Sequence, residues 1–295
     1  MNPGRPSEVA TPGESQVRMS AISQCAFDSE TEIGPLFSNI LVPVDFSERS
    51  VGAARFAVQL ARSAHGRVTL LHVERPPEGN LFRMAELERS VEQRMSAFLS
   101  ESARNPSVQR IVRVHPDVAG TILRHAEENG ADLIVLPTHG YGAIRRALQG
   151  SVTERVLRNA SCPVWATAEA FSTMPTNWLN PERILCAAST ATEGDRILNW
   201  ASRLASPLTA QLCIAWSRKA LTQGPEQIDR VQRKFRIYAE TVVERENVPD
   251  TLRDAVVRLR AGLLVVDKNS WSAQGISGLN PYEIVRHVPC PVISL

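Results

Sequence analysis

Short apolar runs alternate with stretches of helical spacing along most of this chain. Residues 39–45 (NILVPVD) have the nearly unbroken apolar character of a strand buried on both faces. A helix is expected next, to about His65, with Ala54, Val58 and Ala61 on its buried face. Ser47 suits its N-cap, Ser50 falls in its first turn, and Gly66 marks its stop. Residues 68–73 read as a second strand, 81–103 as a long amphipathic helix, and 108–115 as a third strand. Residues 119–129 read as a helix closed by Gly130, and Leu133-Ile134-Val135-Leu136 as the fourth strand. A helix starting at Ser151 carries Val152, Val156 and Leu157 on one face, and residues 164–167 form a final strand. This alternation predicts an α/β fold with a doubly wound parallel sheet of Rossmann-like type. Ligands of such sheets sit beyond the carboxyl ends of the strands, where Asp45, Val73 and residues 137–140 all fall.

The pattern then repeats. Residues 171–181 (FSTMPTNWLNP) read as a linker. Residues 183–189 align with the first strand, 210–216 with the second, 263–266 with Leu133–Leu136, and 284–293 with 156–165. The interval from the Ile-Leu start to Cys-Pro is 122 residues in the first half and 106 in the second. The second copy has therefore lost material, which we place around its third strand. Residues 248–260 read as a helix with no clear strand before them. The expected organisation is a disordered leader (1–37), a first domain (38–170), a linker (171–181) and a shortened second domain (182–295).

Composition narrows the functions. The chain of 295 residues is 43% hydrophobic and 22% charged, with 33 basic and 31 acidic residues. That balance gives no reason to expect nucleic acid or a membrane surface as the main partner. No apolar run approaches a membrane span and the start lacks a signal-peptide core, so a cytoplasmic location is expected. The five cysteines form no Cys-x-x-Cys pair, which fits buried free thiols better than zinc ligands.

The chemistry that stands out is anion binding. The segment from Leu133 runs through Pro137, His139 and Gly140 to Gly150-Ser151 and then a helix. A loop leaving a parallel strand for a helix N-terminus presents free N–H groups and the positive end of the helix dipole. Gly140 and Gly150 allow close backbone approach, Ser151 and Thr153 add hydroxyls, and Arg145 and Arg146 add charge. On spacing alone, an ordinary loop with a capped helix explains these residues equally well. Three features together resemble the universal stress protein family: Ile40-Leu41-Val42-Pro43-Val44-Asp45-Phe46-Ser47, then Leu70-Leu71-His72-Val73, then Gly140-x9-Gly150-Ser151 with Val-Thr-Glu-Arg-Val and Cys-Pro-Val. The resemblance covers residues 38–167. One departure is Pro137, which stands where the family's loop has its first glycine and offers no N–H.

That resemblance implies an adenine-nucleotide crevice, with ATP, with or without Mg2+, as the expected ligand. Pro43, Val44 and Val73 would line the adenine end, and Asp45 would meet the ribose or a metal. Pro137, His139, Gly140, Gly150, Ser151, Val152 and Thr153 would form the phosphate loop. Asp45 could equally serve the helix that follows it, and the apolar residues could equally be core. His139 has no orienting partner nearby in sequence, so a structural hydrogen bond is the expected role; His72 reads as a satisfied strand histidine. In the second half Ser189 replaces Asp45, Asp267 replaces Pro137, and Leu279 replaces Ser151, so nucleotide binding there is not expected. Dimers of the family pair their last strands, which implies that the two halves here pair as a pseudo-dimer, with a homodimer of chains also open. The functional expectation is a nucleotide-binding stress or regulatory protein. The alternatives are an interaction scaffold without ligand and a slow ATPase.

Overall fold

Every apolar run of the pattern that falls on described residues is a strand, and the strands join one eleven-stranded sheet. The computed structural model describes residues 18–19, 37–76, 84–99, 107–137, 152–167, 181–243, 248–268 and 281–295. The strands are β1 (Arg18–Met19), β2 (Asn39–Pro43), β3 (Arg67–Glu74), β4 (Val108–Val114), β5 (Leu133–Pro137), β6 (Val164–Thr167), β7 (Arg183–Ala188), β8 (Gln211–Ser217), β9 (Ala239–Val243), β10 (Leu263–Val266) and β11 (Val292–Ser294). The helices are α1 (Glu48–Ser63), α2 (Met84–Ala97), α3 (Val118–Glu128), α4 (Val152–Asn159), α5 (Ala191–Leu208), α6 (Arg218–Gln223), α7 (Pro225–Phe235), α8 (Val248–Leu259) and α9 (Pro281–His287).

The spatial order is β1-β9-β8-β7-β10-β11-β6-β5-β2-β3-β4. The five strands from β6 to β4 are mutually parallel, as are the five from β9 to β11. The two sets meet where β6 runs antiparallel to β11, with Trp165 opposite Ile293. Helices cover both faces: α1, α2, α5 and α7 pack on one hydrophobic layer, and α3, α4, α8 and α9 on the other. The central strands are apolar on both faces because both faces are covered.

Local chemistry sets the helix ends. Ser47 is the N-cap of α1 and accepts the Ser50 N–H at 3.3 Å, as its position in sequence suggests. His65, rather than Gly66, takes the left-handed conformation after α1 (φ 51°). Gly66 is needed for a different reason. A β-carbon there would lie 2.6 Å from the Phe37 carbonyl oxygen.

Three expectations change. The segment before α8, read as lacking a strand, contains β9, a strand of alternating burial in which Glu240 and Thr241 interrupt the apolar run. The leader contributes Arg18–Met19 as β1, antiparallel to β9. Phe37, its last residue, is buried core rather than leader, with its ring edge-on to Trp165 at 6.5 Å. The rest of the leader and linker residues 171–180 lie outside the described residues.

Candidate functional site

The strand order reverses at β2, which has β3 on one side and β5 on the other. Side chains and backbone at the carboxyl ends of these three strands therefore diverge and leave a crevice. A cavity of about 290 Å3 lies there. Pro43, Val44 and Asp45 enter it from the end of β2, Val73 from β3, and Pro137 from β5. Val152 and Thr153, the first residues of α4, close it from the helix side. His139, Gly140, Gly150 and Ser151 lie outside the described residues.

Most of the wall is apolar. Leu71, Val73, Val118, Ile122 and Leu136 supply it, from β3, α3 and β5. The polar groups are few and held in place. Phe46 turns the chain from β2 into α1 in the left-handed region (φ 64°), which leaves Asp45 exposed at the rim. The Ser47 N–H and hydroxyl both donate to Asp45 Oδ1, at 3.0 and 2.5 Å. Partial burial pushes the Asp45 carboxyl up, but the hydrogen bonds from Ser47 and the Ser50 hydroxyl outweigh it and leave the group below its ordinary value. Asp45 thus serves the helix by holding, through Oδ1, Ser47, which is the cap itself.

His72 is buried beneath this turn. The Val44 carbonyl, 2.7 Å from Nδ1, can only accept, so Nδ1 carries the proton. Nε2 lies 3.2 Å from Glu74 Oε2. The Phe46 ring covers the imidazole at 4.3 Å, and the Arg94 guanidinium covers Phe46 at 4.2 Å. The stack fixes the Val44 carbonyl and the Asp45 turn. At the other side of the crevice, Arg155 of α4 makes a bidentate pair with Asp117, the N-cap of α3, at 2.5 and 2.9 Å. Arg155 holds the Asp117 carboxyl below its ordinary value. This pair ties the N-termini of α3 and α4 together beside the cavity.

The other half of the sheet has the same strand arrangement and different side chains. The register that sets Ile40 against Val68 also sets Ile184 against Leu212, so Trp216 occupies the place of His72. The same reasoning on β10 puts Asp267 at the place of Pro137, as the sequence alignment has it. Trp216 is fully buried and packs on Gly194, and Asp267 is buried in an ion pair with Arg196. Ser189 gives its N–H and hydroxyl to Glu193 Oε2, at 3.0 and 2.6 Å.

Sequence reasoning missed Ser47, Arg49 and His72 as lining residues, together with the apolar wall from α3. Ser47 and His72 lie within the quoted motifs but read there as a helix cap and a strand histidine, and Arg49 lies outside them. The free thiols follow expectation: Cys186, Cys213 and Cys290 are buried and Cys162 partly so, while Cys25 lies outside the described residues. Burial raises Cys162 and Cys213 to about 11, which keeps them as thiols at neutral pH.

Comparison with known proteins adds an independent line. The sequence model of the Universal stress protein family matches residues 36–167. A universal stress protein of Methanocaldococcus jannaschii is 32% identical over 141 residues, covering 44% of this chain and 81% of that protein. Universal stress protein YxiE of Bacillus subtilis is 27% identical over 144 residues, covering 44% and 97%. Among solved structures, a universal stress protein from Archaeoglobus fulgidus DSM 4304 shares the fold with a TM-score of 0.69 at 18% identity, over 88% of this chain and 97% of that one.

Proposed function

The chain belongs to the universal stress protein family, and from that premise we propose that it is a stress-response or regulatory protein whose N-terminal crevice binds ATP or a related adenine nucleotide. The observation that carries this reading is the convergence of Pro43, Asp45, Val73, Pro137 and Thr153 on one cavity at the switch in strand order. The cavity suits the ligand chemically. The apolar wall of Val73, Ile122 and Leu136 matches the face of a base, and the Val44 backbone stands at its edge. The Asp45 carboxylate, exposed at the rim, can accept from sugar hydroxyls. The N-terminus of α4 supplies positive potential for phosphate. In this reading residues 38–170 are the ligand-binding domain. Residues 182–295 are a copy kept for packing, with Trp216 and the Asp267–Arg196 pair where ligand chemistry would stand. No helix among the described residues is long and apolar enough to cross a membrane.

The test is a thermal-shift titration of the full chain with ATP, ADP, AMP and cyclic AMP, each with and without Mg2+. Binding to the native state alone stabilises by about 2.7 kcal/mol at a hundred times the dissociation constant. The expected result is a shift with ATP that disappears in an Asp45→Ala, Gly150→Val double variant that still folds. No shift at millimolar nucleotide would reject the reading and favour the scaffold. A separate multiple-turnover assay for ADP release decides whether the bound nucleotide is hydrolysed.

A further inference from the structure

We propose that Arg49 is the residue through which this crevice reads phosphate charge, so that the site favours nucleoside polyphosphates over the monophosphate and the nucleoside. The proposal rests on the nucleotide reading above. Arg49 is the second residue of α1, half-buried, and it lines the cavity beside Asp45 and Ser47. Its position is electrostatically unusual. Helix N-termini favour acidic side chains, and a cation there faces the positive end of the dipole. Such a cation is normally relieved by a nearby carboxylate. Here the Asp45 carboxylate is engaged by Ser47, and among the described residues Arg49 has neither a hydrogen bond nor an ion pair.

The other basic residue on the cavity wall is His72, and both of its ring nitrogens already face acceptors. Arg49 is therefore the one permanent positive side chain among the described residues of this wall with donors to spare. Its guanidinium fork fits two phosphate oxygens at once. Pro137, on the opposite side, contributes no N–H to an anion. A guanidinium reaching in from α1 replaces donor capacity that the end of β5 lacks. Asp45 and Arg49 then divide the ligand between them: the carboxylate accepts from sugar hydroxyls while the guanidinium donates to phosphate.

The experiment is calorimetric titration of the full chain and of Arg49→Ala and Arg49→Lys with ATP, AMP and adenosine, at low and high salt. Melting curves confirm that each variant is folded. For the wild type, affinity should rise from adenosine to AMP to ATP, and the ATP advantage should shrink with salt. Arg49→Ala should cut ATP affinity by about tenfold or more while leaving adenosine nearly unchanged; Arg49→Lys should keep part of the advantage, since it retains the charge without the fork. An ATP-to-adenosine ratio that is the same in wild type and Arg49→Ala overturns the proposal and leaves the nucleotide reading standing. If none of the three adenine compounds binds the wild type, the nucleotide reading fails instead, and inorganic triphosphate becomes the probe. Triphosphate binding that is lost in Arg49→Ala keeps Arg49 as a phosphate-reading residue, and no triphosphate binding rejects it.

Discussion

Glu193 shows how far a single residue of the second half has moved from its counterpart in the first. It sits one turn into α5, with its N–H on the hydroxyl of the N-cap Thr190 at 3.2 Å. The spacing Thr-x-x-Glu is that of a capping box, but the carboxylate reaches Ser189 rather than the cap's own N–H. Burial raises the Glu193 carboxyl above its ordinary value; the hydrogen bonds from Ser189 and the charge of Arg196 offset this only in part. The native state therefore binds the proton more tightly than the unfolded chain does. The stabilisation is fully present below the unfolded value of 4.5 and is lost as pH rises through the higher native value. Glu193→Gln removes that proton exchange. The stability of this variant relative to wild type, read from urea midpoints, should rise as pH increases from about 4.5 and then level off. A difference that stays flat with pH would show that Glu193 is not the group responsible. Residues of this kind were illegible in the sequence, because their burial depends on the strand register of distant segments. Ser47 and Ser50 were legible because a cap is local.

At the level of elements, the strands that the sequence revealed are those buried on both faces, such as β5 and β10, whose apolar runs are unbroken. The strand it concealed, β9, lies towards the side of the sheet, where two of its five residues are only partly buried and Glu240 breaks the run. Helices whose buried face follows the helical period were likewise readable, within two residues at described ends, except that α2 stops at Ala97 rather than near residue 103. What no pattern could show was how α5 fits β8. The helix comes close enough that a β-carbon on Gly194 would fall well inside contact distance of Cη2 and Cζ3 of Trp216. In the first half Val51 takes the corresponding place, since its N–H bonds the carbonyl of the cap Ser47 as that of Gly194 bonds Thr190, and His72 stands where Trp216 does, so the large ring and the missing side chain go together. Gly194→Ala should cost about 1–3 kcal/mol by overpacking. The smaller ring of Trp216→Phe should recover part of that loss in the double variant, giving a coupling energy in a denaturation cycle. Strictly additive losses would mean that the helix and the ring do not constrain one another.

For the whole molecule, the contact that matters is β6 with β11. Each is the last strand of its half and would otherwise be an open, apolar edge. They pair antiparallel, and the aromatic groups around the seam are drawn from both sides. Trp165 packs on Phe56 at 4.9 Å and on Phe37, and Phe37 in turn touches Trp200 of α5 at 6.2 Å. Lys268, just past β10, donates to the Ala160 carbonyl at the end of α4, so the second half also holds the carboxyl end of the helix whose start lines the crevice. The second half thus supplies the partner edge for β6 and a brace for α4. The consequence can be tested covalently. Val164 and Ser294 stand directly opposite in the register, at a separation that a disulfide spans. In a Cys162→Ser background, Val164→Cys with Ser294→Cys should oxidise to a bond within one chain, leaving a monomer on a non-reducing gel and a single linked peptide in the digest. A linked dimer would instead show that β6 of one chain pairs with β11 of another, and the halves would then be joined by assembly of chains rather than by folding of one.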